Sequence, residues 1–191
     1  MIFSPHGAPD VRICVTSLPA PAPAISQREA ERLCAASALR HLLSDLHLPL
    51  PSDAYPLISH LPSGAPFIPS HPELFLSVSH SAMHVAVAVS ASRPVGIDIE
   101  RWRPSLLKVA RRFLSDSEFP NFSSFPRSLL TAWTIKEATF KLLNSPGLLS
   151  EPPRVMTSLP LFSPDVRLHV IDVSQNGDQI LTIALMHRPH R

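Results

Sequence analysis

Glycine and lysine are both scarce in this chain of 191 residues. The five glycines are too far apart to form the glycine-rich phosphate loops of dinucleotide-binding folds or of P-loop proteins; they occupy positions 7, 64, 96, 147 and 177. Lysine occurs only at positions 108, 136 and 141, so most of the 17 basic residues are arginines. The few places where the chain does use lysine are therefore informative.

Long apolar runs and cysteines are also lacking. No segment approaches the roughly 20 apolar residues of a membrane-spanning helix, and the N-terminus lacks the basic start and apolar run of a signal peptide. Cys14 and Cys34 have no metal-ligand spacing and are expected to be reduced and buried. The formal net charge of +2 is too small for a nucleic-acid-binding protein. We therefore expect a cytoplasmic protein that binds neither membranes nor nucleic acid.

The hydrophobic pattern predicts a helix followed by strands, and this order occurs in two successive rounds along the chain. In the first round Ser26 and Glu29 form a capping box, which predicts a helix from there to about Asp45. Its buried stripe is predicted to comprise Ala30, Leu33, Ala36, Leu39 or Leu42, and Leu43. Alternating or continuous apolar runs predict strands at 11–18, 74–79, 84–90 and 94–100.

The second round repeats this order. Helices are predicted at 106–113 and 127–144, with a second capping box between them at Ser115 and Glu118. Strands are predicted at 155–161, 166–173 and 179–186, the last two joined by a turn at Asn176 and Gly177. We therefore expect an α+β fold of two similar halves, residues 1–92 and 93–191, each with a helix packed on a small antiparallel sheet.

Two carboxylates share one side of the predicted strand 94–100. Side chains alternate along a strand, so Asp98 and Glu100 face one way while Ile97 and Ile99 face the core. Two like charges this close destabilise each other unless a cation lies between them, and Mg²⁺ accepts such oxygen ligands together with phosphate oxygens. The same spacing occurs by chance at solvated strand edges, so a metal site is one of two interpretations.

A stripe on the helix 127–144 offers a second candidate. Trp133, Glu137 and Lys141 recur every four residues and therefore share one helix face. An ordinary ion pair between Glu137 and Lys141, worth roughly 0.3–0.5 kcal/mol, would also explain this spacing. However, two of the three lysines, Lys136 and Lys141, lie within this short segment. Lysine provides a compact charge with a shiftable pKa, which suits a phosphate site.

A third cluster of polar side chains lies where the strand 74–79 ends. It comprises Ser79, His80, Ser81 and His84. The two histidines resemble a metal pair, but no third ligand stands nearby in sequence, which disfavours zinc. A serine hydrolase is disfavoured because the chain has no G-x-S-x-G nucleophile elbow. A turn rich in small polar residues remains the alternative.

A basic segment follows the two carboxylates. Residues 101–112 contain no acid and five basic side chains: Arg101, Arg103, Lys108, Arg111 and Arg112. Such a run is usually a solvated helix face. It also suits docking of an acidic partner, because complementary charge accelerates encounter.

Taken in order, these segments resemble the 4′-phosphopantetheinyl transferase superfamily. The resemblance is carried by residues 79–81 (SHS), 94–100 (PVGIDIE) and 133–141 (WTIKEATFK). The family's hallmark is Gly-Ile/Val-Asp-x-acid, followed later by an aromatic residue, a small residue, and x-Lys-Glu-small-x-x-Lys. This chain matches that pattern. Its SHS segment is similar to that of the two-lobed type that activates peptide and polyketide synthases.

The resemblance implies a reaction, a metal and a general base. The reaction is Mg²⁺-dependent transfer of phosphopantetheine from coenzyme A to a serine of an apo acyl or peptidyl carrier protein, with release of 3′,5′-ADP. Position by position, Asp98, Glu100 and Glu137 are expected to bind Mg²⁺, and Glu137 is also the expected general base. The active site is expected between the two halves of a pseudo-dimeric fold, so a monomer is expected.

The resemblance also assigns the contacts with coenzyme A. Lys141, with Lys136 beside it, is expected at the pyrophosphate, and Ser79 and His80 are expected to hold phosphate groups. The family often has a Gly-Lys-Pro triplet where this chain has Gly-Ala-Pro at residues 64–66. Arg28 is expected to substitute for the missing basic contacts, with Arg40 as the second candidate, and we expect weak discrimination between coenzyme A and dephospho-coenzyme A.

Two other classes of function remain open at this stage. One is a non-catalytic relative that binds coenzyme A or a carrier protein without transfer. The other is a different Mg²⁺-dependent phosphotransferase or phosphodiesterase that uses the same acids.

Overall fold

The computed structural model describes residues 1–19, 25–50, 56–146, 148–149, 153–174 and 178–187. The strands are β1 (Ile2–Phe3), β2 (Val11–Ser17), β3 (Ser59–His60), β4 (Pro66–Phe67), β5 (Phe75–His80), β6 (His84–Ser90), β7 (Val95–Arg101), β8 (Val166–Asp172) and β9 (Gln179–Met186). The helices are α1 (Gln27–Asp45), α2 (Ser105–Val109), α3 (Phe119–Phe122) and α4 (Pro126–Leu143), with 3₁₀ turns at Ala110–Arg112 and Met156–Ser158. In this part of the chain, no helix is long and apolar enough to cross a lipid bilayer.

The strands form two antiparallel sheets and a small ribbon of β3 and β4. The strand orders are β1-β2-β6-β5 and β7-β9-β8. Helix α1 packs on the first sheet, where Leu39 and Leu42 join Val85 and Val87 in one apolar cluster. Helix α4 packs on the second sheet, where Ala138 lies against Ala184. The predicted mixture of helices and antiparallel sheets is therefore confirmed.

The inner faces of the two sheets enclose a shared core. Ile13 of β2 and Ala88 of β6 lie in one buried cluster with Ile97 of β7 and Ile183 of β9. Alternate residues of β6 face the other way, toward α1. The helices therefore lie on the outside, and the residues of β7 that do not enter this core face α4.

Most of the predicted segments are confirmed, including the N-cap at Ser26 and the capping box at Ser115 and Glu118. The Ser26 hydroxyl accepts from the Glu29 N–H at 3.2 Å. At the second box, Ser115 N–H donates to the Glu118 carboxylate at 2.9 Å, and the Glu118 N–H donates back to the Ser115 hydroxyl. The predicted stripe of α1 is wrong at Leu33, which is 47% exposed; the buried face of the helix includes Ala35 and Ala38 instead.

The strand predicted at 155–161 is wrong. This segment forms the 3₁₀ turn Met156–Ser158, and its carbonyl oxygens at Met156 and Leu159 accept from the ammonium of Lys136. Carbonyls that turn toward a buried cation cannot serve a strand ladder. The predicted turn at 176–177 lies outside the described residues.

Candidate active site

The site is built on the face of β7 that α4 covers. Ile97 is buried between the sheets, so Asp98 and Glu100 point to the opposite face, as the alternation of strand side chains requires. Helix α4 lies close to this strand because position 96 is a glycine: a Cβ on Gly96 would lie 1.9 Å from the carbonyl oxygen of Ala138. The missing side chain therefore brings the carboxylates of β7 within reach of α4.

Asp98 is a buried carboxylate with one satisfied oxygen. Its Oδ1 accepts from the Ser79 hydroxyl at 2.8 Å and from the Lys141 ammonium at 2.8 Å. Lys141 also donates to the carbonyl oxygen of Ile97 at 3.1 Å. The second oxygen, Oδ2, is buried and has no hydrogen-bond partner among the described residues. Since burying an unpaired carboxylate oxygen is costly, this atom marks where the site can accept a donor or a cation.

Glu100 is held from two sides. Arg103 Nη1 donates to its Oε2 at 2.6 Å, and the indole N–H of Trp133 donates to its Oε1 at 3.3 Å. The Trp133 ring in turn packs edge-on against Phe113, with 4.9 Å between the ring centroids. Glu100 therefore links β7 to α4, and a guanidinium partly neutralises its charge.

Glu137 lies on α4 near both carboxylates of β7. Burial raises the pKa of Glu137, the charge of Asp98 raises it further, and the charge of Glu100 adds to this, while Lys141 lowers it. Three acids and one ammonium thus share a small volume. A positive ion would relieve the remaining repulsion.

These three carboxylates are neighbours, but they do not form a closed ligand set. Among the described residues, no three His, Cys, Asp or Glu side chains lie close enough together to hold one metal ion. Glu100 is instead paired with Arg103. The donor set still fits a hard cation in its chemistry, because it consists of oxygens, includes the unpartnered Oδ2 of Asp98 and concentrates negative charge.

The structure corrects the expected place of Lys136. Its side chain is fully buried, pairs with Glu118 at 2.8 Å and donates to the carbonyl oxygen of Leu159. Consecutive helix residues point about 100° apart, so Lys136 does not share the face of Glu137 and Lys141. It is a structural cation of the segment that follows α4, and it does not accompany Lys141.

Ser79 and His80 also differ from the expectation that both hold phosphate groups. The hydroxyl of Ser79 is buried and donates to Asp98. His80 lies at the end of β5 with its side chain 56% exposed, and its Nδ1 is 3.4 Å from a carboxylate oxygen of Glu31 on α1. Only His80 of the two presents its side chain to solvent.

Comparison with known proteins gives one family. A family model described as the 4′-phosphopantetheinyl transferase superfamily matches residues 94–183. The 4′-phosphopantetheinyl transferase Sfp of Bacillus subtilis strain 168 is 34% identical over 131 residues, which are 66% of this chain and 51% of that protein. The 4′-phosphopantetheinyl transferase psf-1 of Bacillus pumilus is 33% identical over 109 residues, 54% of this chain and 46% of that protein. The match to the 4′-phosphopantetheinyl transferase superfamily therefore covers residues 94–183 of this chain.

The superfamily region and the predicted site residues overlap in part. The chain spans about half the length of the curated relatives it matches, at 51% and 46% of the two described above. Inside the superfamily region lie Asp98, Glu100, Lys136, Glu137 and Lys141. Before it lie Arg28, Ser79 and His80; of these, Arg28 and His80 border one cleft, whereas Ser79 contacts Asp98.

Two clefts adjoin at the end of β5. One, of about 410 Å³, is bordered by Ala65, His80 and Lys141. The other, of about 470 Å³, is bordered by Arg28, Arg32 and His80. Because His80 borders both, the clefts run from Lys141 to Arg28 and Arg32 at the start of α1, where Glu31 also lines the cleft. Sequence analysis missed Arg32, although its spacing of four residues from Arg28 places both on one helix face.

Proposed function

We propose that this protein is a 4′-phosphopantetheinyl transferase that acts on a serine of an apo acyl or peptidyl carrier protein. The observation that carries the proposal is the contact of Lys141 with Asp98 at 2.8 Å, beside Glu137, at the border of a cleft. Phosphoryl transfer depends mainly on positioning and on neutralising charge, which an ammonium and clustered carboxylates provide. The names of the similar Bacillus proteins support the same activity.

The proposed enzyme is a pseudo-dimer of two halves, residues 1–92 and 93–191, that acts as a monomer. Each half has its own helix on its own sheet, α1 on the first and α4 on the second. The halves meet at the site, because Ser79 of the first donates to Asp98 of the second. One copy of the chain therefore supplies both sides of the site.

In this proposal Asp98, Glu100 and Glu137 hold Mg²⁺. When bound, the ion would neutralise the pyrophosphate of coenzyme A and stabilise the charge that develops there. Oδ2 of Asp98 is ready to act as a ligand because no described group occupies it. Glu100 has to give up Arg103, whose side chain is 48% exposed and can turn into solvent at little cost.

Glu137 is assigned to accept the proton of the carrier serine. The serine oxygen forms a bond to the phosphorus that bears the pantetheine. The bond from that phosphorus to the bridging oxygen breaks, and 3′,5′-ADP leaves with this oxygen. Glu137 suits this task because its carboxylate lies near Asp98 and Lys141 in the site. Lys141 is assigned to the pyrophosphate charge.

The basic side chains along the two clefts are assigned to the phosphate groups of coenzyme A. They are Arg28, Arg32 and His80. Ala65 adds no charge to the cleft that contains Lys141. Because alanine stands at position 65 where the family often has lysine, we expect weak discrimination between coenzyme A and dephospho-coenzyme A. A large preference for coenzyme A in kcat/KM would contradict this expectation.

The basic segment 101–112 is assigned to the carrier protein. Lys108 and Arg112 are exposed on it, and Arg111 stacks on a neighbouring phenylalanine ring at 4.0 Å. Leu107, 52% exposed, adds an apolar contact between the charges. An acidic helix of the carrier would find opposite charge along this segment.

Intact-mass spectrometry of an apo acyl carrier protein tests the proposed reaction. Incubation with this protein, coenzyme A and Mg²⁺ should add one phosphopantetheine group and release 3′,5′-ADP, and EDTA should prevent both. Asp98→Asn should remove most of the transfer, since it discharges the buried carboxylate. Asp165→Asn is the matched control, because it makes the same change at an exposed position.

Two outcomes contradict the proposal. No mass gain on acyl or peptidyl carriers, with coenzyme A still bound, indicates a non-catalytic relative. Cleavage of coenzyme A without a modified protein indicates a phosphodiesterase. Unchanged transfer by Asp98→Asn contradicts the assignment of the metal ligands.

A further inference from the structure

Two serines on the edge of the first sheet cap the edge of the second. Strands β5 and β7 are edge strands of their sheets and lie side by side without a backbone ladder between them. The N–H of Ile97 donates to the Ser77 hydroxyl at 3.1 Å, and the N–H of Ile99 donates to the Ser79 hydroxyl at 3.2 Å. Both serines are buried, at 3% and 5% exposure. They thus make the same structural contact, two residues apart.

Of these two serines, only Ser79 is seen to donate to a carboxylate within the described residues. Its hydroxyl gives its one proton to Oδ1 of Asp98 at 2.8 Å. A hydroxyl has a single donor, and a phosphate oxygen needs a donor. Ser79 therefore cannot hold a phosphate group while it holds Asp98.

The contact also fixes which oxygen of Asp98 is free. Oδ1 accepts from both Ser79 and Lys141, so its accepting capacity is used. Oδ2 is left buried and unpartnered on the other side of the carboxylate. The N–H of Ile99 in turn fixes the Ser79 hydroxyl. The backbone of β7 therefore determines the orientation of Asp98 through Ser79.

We infer that Ser79 is a positioning residue, which orients Asp98 so that Oδ2 faces the divalent cation. This inference rests on the proposed function for the presence of a cation, and it departs from the expectation that Ser79 holds coenzyme A. Hydrogen bonds to a ligating carboxylate restrict its rotation before the metal arrives, and losing such a partner typically costs about 10-fold or more in metal affinity.

Mn²⁺ binding to the full chain without substrates tests this role, measured by titration calorimetry or by the free-ion EPR signal. Ser79→Ala should weaken Mn²⁺ binding about 10-fold. Ser77→Ala should leave it unchanged while lowering the unfolding temperature as much as Ser79→Ala does. Ser79→Thr, which keeps the hydroxyl, should restore most of the affinity. The three variants separate a lost hydroxyl contact from a general loosening of the sheet edge.

Each remaining outcome overturns the inference. Equal Mn²⁺ affinities for the two alanine variants mean that Ser79 only caps the strand. A raised KM for coenzyme A in Ser79→Ala, with unchanged Mn²⁺ affinity, means that Ser79 binds a phosphate group of coenzyme A. If the unaltered protein does not bind Mn²⁺, there is no cation for Ser79 to position through Asp98. A parallel transfer assay separates the two proposals, because transfer can persist when Ser79 fails this test, and Mn²⁺ binding can depend on Ser79 when transfer is absent.

Discussion

Replacing Gly96 with alanine tests whether the close approach of α4 to β7 sets the geometry of the site. The added methyl group would lie 1.9 Å from the carbonyl oxygen of Ala138 and 2.6 Å from the backbone nitrogen of Leu142. Both are backbone atoms, so no change of side-chain rotamer relieves the clash. The helix has to retreat by about 1.5 Å to restore an ordinary contact of 3.4 Å.

This retreat affects both stability and turnover. Overpacking of this kind costs about 1–3 kcal/mol, and we expect the upper end because backbone has to move. Glu137 and Lys141 are carried on the same stretch of α4. A misplacement of about 1 Å costs roughly 100-fold in rate, so kcat/KM for transfer should fall by at least that factor. Thermal unfolding and a mass-spectrometric rate measurement on one preparation check both numbers.

Two controls sharpen this experiment. Gly7→Ala makes the same chemical change away from the site, where a Cβ would meet the end of the flexible Arg167 side chain at 3.3 Å, and its φ of +71° should cost about 1 kcal/mol. Ala138→Gly, added to Gly96→Ala, should not rescue activity, because the clash involves the carbonyl oxygen and not the methyl group. A Gly96→Ala protein with the stability and turnover of the unaltered protein would refute the reasoning.

Three other changes test separate features. Lys136→Met should lower the free energy of unfolding by about 3 kcal/mol because it leaves Glu118 without its cation, and adding Glu118→Gln should recover part of the loss; additive losses in urea unfolding would contradict the pairing. A hydrogen bond from the Arg93 guanidinium holds the pKa of Asp10 well below its usual range. The unaltered protein and Asp10→Asn should therefore differ by about 1 kcal/mol in unfolding free energy at neutral pH and converge as the pH falls below about 4, whereas a pH-independent difference would rule this out. Charge reversal at Arg111 and Arg112 should raise the KM for the carrier but not for coenzyme A, and an unchanged carrier KM would end the docking assignment.

Local periodicity was enough to predict which charged side chains share a face of their strand or helix. Asp98 and Glu100 alternate with buried isoleucines, and Glu137 and Lys141 are one helical turn apart, so each pair could be placed on a face without tertiary information. That the two faces oppose each other depends on Gly96, whose lack of a side chain is visible in the sequence. Its consequence for α4 becomes visible only in the fold.

Contacts distant in sequence account for what could not be predicted. The scarcity of lysine drew attention to Lys136, but scarcity does not distinguish a phosphate ligand from the partner of a buried carboxylate. Glu118 is recognisable as part of a capping box, yet its carboxylate also reaches Lys136 and the N–H of Leu161. Ser79 is likewise separated from Asp98 by 19 residues. No local sequence pattern indicates that the Ser79 hydroxyl already donates its proton to Asp98.

The serine hydroxyls between β5 and β7 also bear on aggregation. An edge strand with unpaired N–H groups is a template for a strand of another molecule. Ser77 and Ser79 occupy the N–H groups of Ile97 and Ile99, so the two edges close each other without merging into one continuous sheet. The outer edge of the first sheet is β1, which is only two residues long. The arrangement that holds Asp98 in place therefore also protects two sheet edges against pairing with foreign strands.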